Sequence, residues 1–308
     1  MIPNNEQLRI MRFSVFNFTR DMAVGGAAAA VAKTTVAPIE RVKLLLQLQA
    51  TSTQIRPDQQ YKGIWDCLVR IPKEQGFLSY WRGNLTNVSR YFFTQALNFA
   101  FKDLYRPYLT PEASRNASVW RLLAGNMVSG GAAGVSSMVL TYPLDFARTR
   151  LSADVGSGMN RQFTGLVHCV RSVYAKEGVA GVYRGLSLSI PTVLVYRATY
   201  FGVFDTAKSL IPKERSNAIA LTWLIAQAST TVAGLIGYPL DTVRRRMVMQ
   251  SGRLASERHY DSSLDCWKKV YLNEGGVRGF YKGALTNVFR GAGSALVLVL
   301  YDEIKRFI

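Results

Sequence analysis

The stretch YPLDTVRRRMVMQSGR, residues 238–253, decides how this chain is read. Pro239 stands two residues before Asp241, and Arg244, Arg245 and Arg246 follow in a row. Upstream, residues 216–240 carry no charge over 25 positions, which is long enough for a helix to cross a bilayer. An acid and three bases therefore cluster where an apolar run ends.

The stretch has two counterparts in the same chain. APIERVK supplies Pro38, Glu40 and Lys43, and YPLDFAR supplies Pro143, Asp145 and Arg148. A second signature follows each: EQGFLSYWRG (74–83), EGVAGVYRG (177–185) and EGGVRGFYKG (274–283). A third closes each unit: Asp103 with Arg106, Asp205 with Lys208, and Asp302 with Lys305. Three signatures in one order, three times over, define an internal repeat of about 100 residues. The repeats are read as 1–112, 113–214 and 215–308.

Each unit predicts the same elements. An apolar helix rich in small residues comes first (GGAAAAVA from Gly25, SGGAAG from Ser129, TVAG from Thr231). Small residues let membrane helices approach closely. The proline is expected to kink or end that helix. A polar connection then holds a short amphipathic helix near 64–74, 165–177 or 263–274, and a second membrane helix follows. Residues 122–144 are also uncharged and long enough to span. The predicted fold is an all-α membrane protein of six spans in pseudo-threefold repeats, with both termini on one side.

Charge supports this more than a soluble reading. The chain has 308 residues, 48% of them hydrophobic, and a formal charge of +18. Its mean hydropathy of +0.05 suits spans joined by long polar connections around a wet interior. A nucleic-acid binder would explain the charge but not the uncharged runs. Residues 40–82, 145–184 and 241–282 carry net +3, +3 and +4, which places the connections on the positive-inside face.

Five basic residues remain inside the predicted spans: Lys33, Arg90, Lys102, Arg197 and Arg290. Lys102 lies at an edge and can snorkel. Each of the others costs roughly 2.5–3.5 kcal/mol at a bilayer centre. With no acid counted inside the spans, their expected partner is an anion that comes and goes; snorkelling or bonding to carbonyls is the plainer alternative. Arg90, Thr192 and Arg290 each lie seven residues after the closing glycine, so they share one depth. Two cations and one neutral corner suit an elongated anion with a charged end and an uncharged end. Tyr196 shares the helix face of Thr192 and offers a ring for stacking.

The opening motif then acquires a reason. An exposed i,i+3 pair gains a few tenths of a kcal/mol, too little to account for three copies. At a threefold constriction Glu40 would pair with Arg148, Asp145 with Arg244, and Asp241 with Lys43. Such a ring would plug one side. The pairs Asp103/Arg106, Asp205/Lys208 and Asp302/Lys305 would form a second ring opposite. Two rings that cannot both close give alternating access.

The remaining features are plain. Cys67, Cys169 and Cys266 fit no zinc or redox spacing and occupy one repeat position, expected to be buried. Residues 1–20 show no cleavable secretion signal, and the N-x-[ST] matches at Asn17, Asn84, Asn87 and Asn116 are read as chance. His168 and His259 sit in connections with no nucleophile or ligand cluster, so neither an enzyme nor a metal site is expected.

The tripled P-x-[DE]-x-x-[KR] motif resembles the mitochondrial carrier family over residues 15–308. RRRMVM (Arg244, Arg245, Arg246, Met247, Val248, Met249) resembles the RRRMMM signature of its adenine-nucleotide-exchanging branch. APIERVKLLLQ, TQALNFAFKD, YRATYFGVFDTAK and VLVLYDEIK resemble that branch too. The resemblance implies exchange of cytosolic ADP for matrix ATP across the mitochondrial inner membrane by a functional monomer, with both termini facing the intermembrane space and no cofactor. It implies phosphate contacts from Lys33, Arg90 and Arg290, with Thr94, Asn98, Thr192, Val193, Tyr196 and Arg197 as other cavity positions. Gln47 matches a glutamine that braces the ring. Gly63, Gly83, Gly165, Gly185 and Gly283 match glycines of cardiolipin motifs, where helix N-termini favour phosphate. This chain departs at Thr192–Val193, where glycine and isoleucine are usual after a glutamine replaced here by Pro191. It also departs at Gly237 for serine, Phe93 for proline and Ser262 for glycine. Two other readings stay open: a carrier of another nucleotide or phosphorylated anion, and a non-exchanging proton-leak or scaffold protein.

Overall fold

The fold is taken from a computed structural model that describes residues 5–109, 119–156, 161–210, 219–253 and 255–286. Its regular structure is helical, with no strand among the described residues. The first repeat holds α1 (Asn5–Leu48), the short α2 (Ile64–Gln75) and α3 (Asn84–Leu109). The second holds α4 (Val119–Ala153), α5 (Leu166–Val182) and α6 (Leu186–Ser209). The third holds α7 (Ile219–Ile236), α8 (Tyr238–Met249), α9 (Ser263–Asn273) and α10 (Val277–Phe280).

The prolines act differently in the three repeats. Pro38 and Pro143 lie inside α1 and α4, which continue for ten residues beyond them. Only the third repeat is interrupted, at Gly237, with Pro239 in the first turn of α8. A proline removes one ladder bond. In the third repeat its neighbours keep theirs: Gly237 N–H donates to Ala233 O (3.0 Å) and Asp241 N–H to Gly237 O (3.1 Å).

Each short helix is pinned by the same two positions. Cys67 and Ile71, Cys169 and Val173, and Cys266 and Val270 are buried one turn apart on one face. They pack on the end of the preceding long helix. Cys67 and Ile71 join Val42 and Leu45, Cys169 and Val173 join Phe146 and Leu151, and Cys266 and Val270 join Val243 and Met247. Burial pushes all three thiols up to about 12. They remain free cysteines, small core residues rather than nucleophiles.

The small-residue runs form close contacts. Ser129, Ala133, Ser137 and Thr141 line one buried stripe of α4. A Cβ on Gly26 of α1 would collide with the ring of Phe92 on α3. Among the described residues no single helix is long and apolar enough to cross a membrane, though the bent pair α5 and α6, at 55°, meets that measure together. The uncharged residues 122–144 lie within α4, and the described part of 216–240 forms α7 and the start of α8.

Candidate functional site

The C-terminal ends of α1 and α4 and the first two turns of α8 bring the three motif acids and bases together across repeats. Arg148 donates to Glu40, Arg244 donates to Asp145, and Lys43 lies 3.3 Å from Asp241. These side chains are only about 13–20% exposed, so the ring is largely shielded from solvent. Arg245 adds a bond within α8, its Nε 2.9 Å from both oxygens of Asp241. Asn87 donates to Glu40 (3.2 Å). Gln47 is fully buried and donates to Thr242 (2.8 Å), the residue after Asp241.

Two tyrosines belong to this ring and were missed by reading the acids and bases alone. Lys43 lies 4.8 Å from the ring centre of Tyr238, and Arg244 5.8 Å from that of Tyr142. Each tyrosine donates through its hydroxyl to the carbonyl just before a closing glycine, Lys282 O and Arg184 O respectively. The signal was present: both are the Y of YPLD, and the first repeat has Ala37 there instead.

The closing glycines explain how tightly the repeats fit. Gly185 and Gly283 have φ of +91° and +80°, a left-handed backbone that side chains rarely adopt. A Cβ on Gly185 would come 3.1 Å from Arg244 O, and one on Gly283 3.1 Å from Lys43 O. Each closing glycine therefore abuts the main chain of a ring base in another repeat, as Gly83 does with Arg148. Gly63 and Gly165 differ: both are extended N-cap positions with open space where a Cβ would be. Ser262 occupies the equivalent place and caps α9 by accepting from Asp265 N–H (3.1 Å).

Below the ring, Leu44 and Leu48 meet Ala153 and Met249 in a small apolar cluster. Leu48, Ala153 and Met249 each lie ten residues after the motif proline, so one position from each repeat meets there. The RRRMVM run divides its work. Arg244 and Arg245 serve the ring, and Arg246 is buried against Glu274. Met247 and Val248 fill the third- and second-repeat cores.

A cavity of about 380 Å³ opens beside the ring, lined by Thr192, Val193, Tyr196 and Arg197 of α6, with Gly234, Gly237 and Tyr238 opposite. Lys43 and Asp241 form part of its wall. Thr192 is already bonded: its hydroxyl donates to Leu188 O (2.6 Å). Tyr196 stacks on Tyr200, which stacks on Phe204. Thr94 likewise donates to Arg90 O (2.7 Å), and Asn98 is half-buried on α3. Lys33 lies 4.9 Å from the ring centre of Tyr91.

Arg90 corrects the expectation that the deep cations have no acidic partner. Its Nε lies 3.6 Å from Asp145, too far for a hydrogen bond but within ion-pair reach. The charge count had placed Asp145 in a connection, whereas α4 carries it up to the level of Arg90. The opposite ends of the second helices look different. Asp103, Asp205 and Lys208 are exposed, and no ion pair among the described residues involves them. The side chain of Arg106, and Arg290, Asp302 and Lys305, lie outside the described residues.

A second, larger cavity of about 730 Å³ runs between the start of α2, at Gly63, Ile64 and Trp65, and Gly283, Ala284 and Leu285 of the third repeat. Its wall is mainly apolar and includes Lys62 and Lys282.

The repeats and this arrangement agree with known proteins. Residues 14–113, 120–215 and 216–308 each match the mitochondrial carrier protein family. The chain is 56% identical to ADP/ATP translocase 2 of Rattus norvegicus over 298 residues, covering 96% of this chain and 100% of that one. It is 56% identical to ADP/ATP translocase 3 of Homo sapiens over 299 residues, 97% of this chain and 100% of that one. Against ADP/ATP translocase 4 of Bos taurus it is 56% identical over 294 residues, 95% of this chain and 90% of that one. A threefold match that spans nearly the whole chain, on a structure whose repeats interlock through their shared motif, means that this chain belongs to the mitochondrial carrier family.

Proposed function

We propose that this protein exchanges ADP for ATP across the mitochondrial inner membrane. The observation that carries this is the 56% identity to ADP/ATP translocases over 96% of the chain. It is a transporter, and it does no covalent chemistry on its substrate. The site chemistry agrees. Lys33 and Arg90, with Arg290 at the matching repeat position, supply cations for the phosphates. Thr192, Val193 and Tyr196 supply a surface for the base.

On this reading the acid–base ring is the matrix gate, with Gln47 as its brace. The residues Asp103, Arg106, Asp205, Lys208, Asp302 and Lys305 form the cytoplasmic gate in the other state. The helices make six spans, with both termini towards the intermembrane space, and the monomer is the working unit. The spans need not be uniformly apolar, because in this function their polar faces would line a water-filled cavity. Cardiolipin would lie on the apolar cavity between Gly63 and Gly283, and at Gly83, Gly165 and Gly185, where exposed N–H groups meet phosphate.

The test is exchange in liposomes loaded with ADP against external ADP, ATP, AMP, GTP and phosphate, with and without an imposed potential. Exchanging ADP with about three charges for ATP with about four moves one charge, or roughly 2.3 kcal/mol per 100 mV. Nucleotide exchange that responds to voltage is expected. Exchange of phosphate or GTP alone would replace this function with that of another anion carrier.

A further inference from the structure

The acid–base ring is not the only tie between repeats. A helix C-terminus leaves its last carbonyls without intrahelical partners and carries the negative end of the dipole. At each seam an arginine of one repeat donates to such a terminus in the next. Arg41 of the first repeat donates to Asp154 O (2.9 Å) and Ser152 O (3.3 Å), at the end of α4. Arg150 of the second repeat donates to Met249 O, the last residue of α8. Arg253 of the third repeat donates to Thr51 O (2.6 Å), in the 3-10 turn that extends α1. The sense is cyclic: first to second, second to third, third to first.

These contacts have two properties that the ring lacks. Among the described residues, no carboxylate lies within ion-pair distance of the three guanidiniums. Their acceptors are main-chain carbonyls, so parting breaks no direct ion pair. The arginines also stand at unrelated places in the repeat, three, seven and fourteen residues after the motif proline. Repeat symmetry therefore does not announce them; only the seams do. Arg41 is held from its own side as well, by bonds to Ser79 O and Gln75 Oε1, so its fork is fixed before it reaches α4.

We propose that Arg41, Arg150 and Arg253 are positioning residues for the exchange cycle. They latch the three helix ends one to two turns beyond the acid–base ring, and each latch must release before that side can open. This rests on the ring being a gate. The residues touch no substrate; they act by setting how long the helix ends stay together.

Ala153 provides a reporter, since it is 2% exposed inside the cluster of Leu48 and Met249 that the latch encloses. The Ala153→Cys protein, in liposomes, is labelled with N-ethylmaleimide, and modification of each thiol is followed by mass spectrometry. Adding Arg253→Gln should speed labelling at position 153 by about tenfold, the loss of one charged hydrogen bond. Arg253→Lys should fall between, because lysine keeps the charge and loses the fork. Cys67, Cys169 and Cys266 should stay as slow as in the parent, which a general loosening of the fold would not allow. Glu40→Gln serves as the ring control. If Glu40→Gln speeds labelling and Arg253→Gln does not, the latch is wrong and the gate stands. If neither does, the gate reading fails and the latch with it. If Arg253→Gln also speeds the three native thiols, its role is structural and the proposal is overturned. Should Arg253→Gln not be recovered folded, Arg253→Lys and Arg41→Lys decide by the same readout.

Discussion

Arg90 on α3 lies 3.6 Å from Asp145 on α4, and Asp145 also accepts from Arg244 of the third repeat. A cation of the proposed substrate site thus shares an acid with the proposed gate. An anion that captures Arg90 withdraws it from Asp145 and changes the field on the Asp145–Arg244 pair. On the proposed function, substrate arrival and gate strength are linked through this one carboxylate.

Arg90→Ala should therefore reduce ADP exchange by tenfold or more while the protein remains folded in the membrane. A charged hydrogen bond to phosphate contributes roughly 1.5–3 kcal/mol. Arg90→Lys keeps the charge and should retain part of the rate. Liposome exchange, normalised to folded protein, measures both. Near-normal uptake by Arg90→Ala would remove this residue from the site.

Charge reversal should distinguish the ring pairs. Exchanging Glu40 with Arg148 (Glu40→Arg with Arg148→Glu) should recover more exchange than exchanging Lys43 with Asp241. Asp241 is also held by Arg245 at 2.9 Å, and a lysine placed there would face that arginine. Each double variant should exceed the worse of its singles. If the Lys43/Asp241 exchange recovers as well as Glu40/Arg148, Arg245 does not belong to the ring.

Glu274 gives a pH dependence. Burial raises its pKa, but the bonds and charges of Arg246 and Lys282 outweigh burial and leave it below the usual carboxylate range. A depressed carboxylate contributes stability that is present above its unfolded pKa and lost as pH falls through the folded one. The melting temperature should therefore fall as pH drops below about 4.5. Glu274→Gln should flatten that limb and destabilise at neutral pH by roughly 3–5 kcal/mol, because the fully buried Arg246 loses its carboxylate. An unchanged acid limb in the variant would assign the pH dependence to other acids.

Much of this was legible because a threefold repeat makes every motif its own control. Glu40, Asp145 and Asp241 had fixed spacing to a base, and geometry around an axis left few partners. Cys67, Cys169 and Cys266 shared one position, which marked a core-facing turn. Arg90 with Asp145 was not legible, since the pair joins different positions of two repeats and the acid was assigned to a connection. Tyr142 and Tyr238 were hidden for another reason: each ring serves a base in another repeat, Arg244 and Lys43, 102 and 195 residues away. The continuity of α1 and α4 through Pro38 and Pro143 was also not readable, because one missing ladder bond can kink a helix or be absorbed by it.

The last prediction concerns Thr192, whose hydroxyl donates to Leu188 O at 2.6 Å. That bond uses its one proton, so Thr192 faces the cavity with a methyl group and an oxygen that only accepts. Gly237 lines the same cavity and adds no side chain. Thr192 can therefore affect base recognition in two ways: by filling space or by accepting from an amino group. Two variants separate them. Thr192→Val keeps the volume and removes the oxygen; Thr192→Gly removes both. If bulk matters, the valine variant should discriminate among ADP, GDP and IDP as the natural protein does, and the glycine variant should differ. If the acceptor matters, valine should lose the preference for ADP, whose base carries an amino group there, over IDP, which carries an oxygen. A lost hydrogen-bond partner or a mismatched methyl costs on the order of 1–3 kcal/mol, a shift of about tenfold or more in relative kcat/KM. Competition assays in liposomes read this directly. If both variants rank the three nucleotides as the natural protein does, Thr192 does not contact the base, and the uncharged end of the substrate lies elsewhere in the cavity.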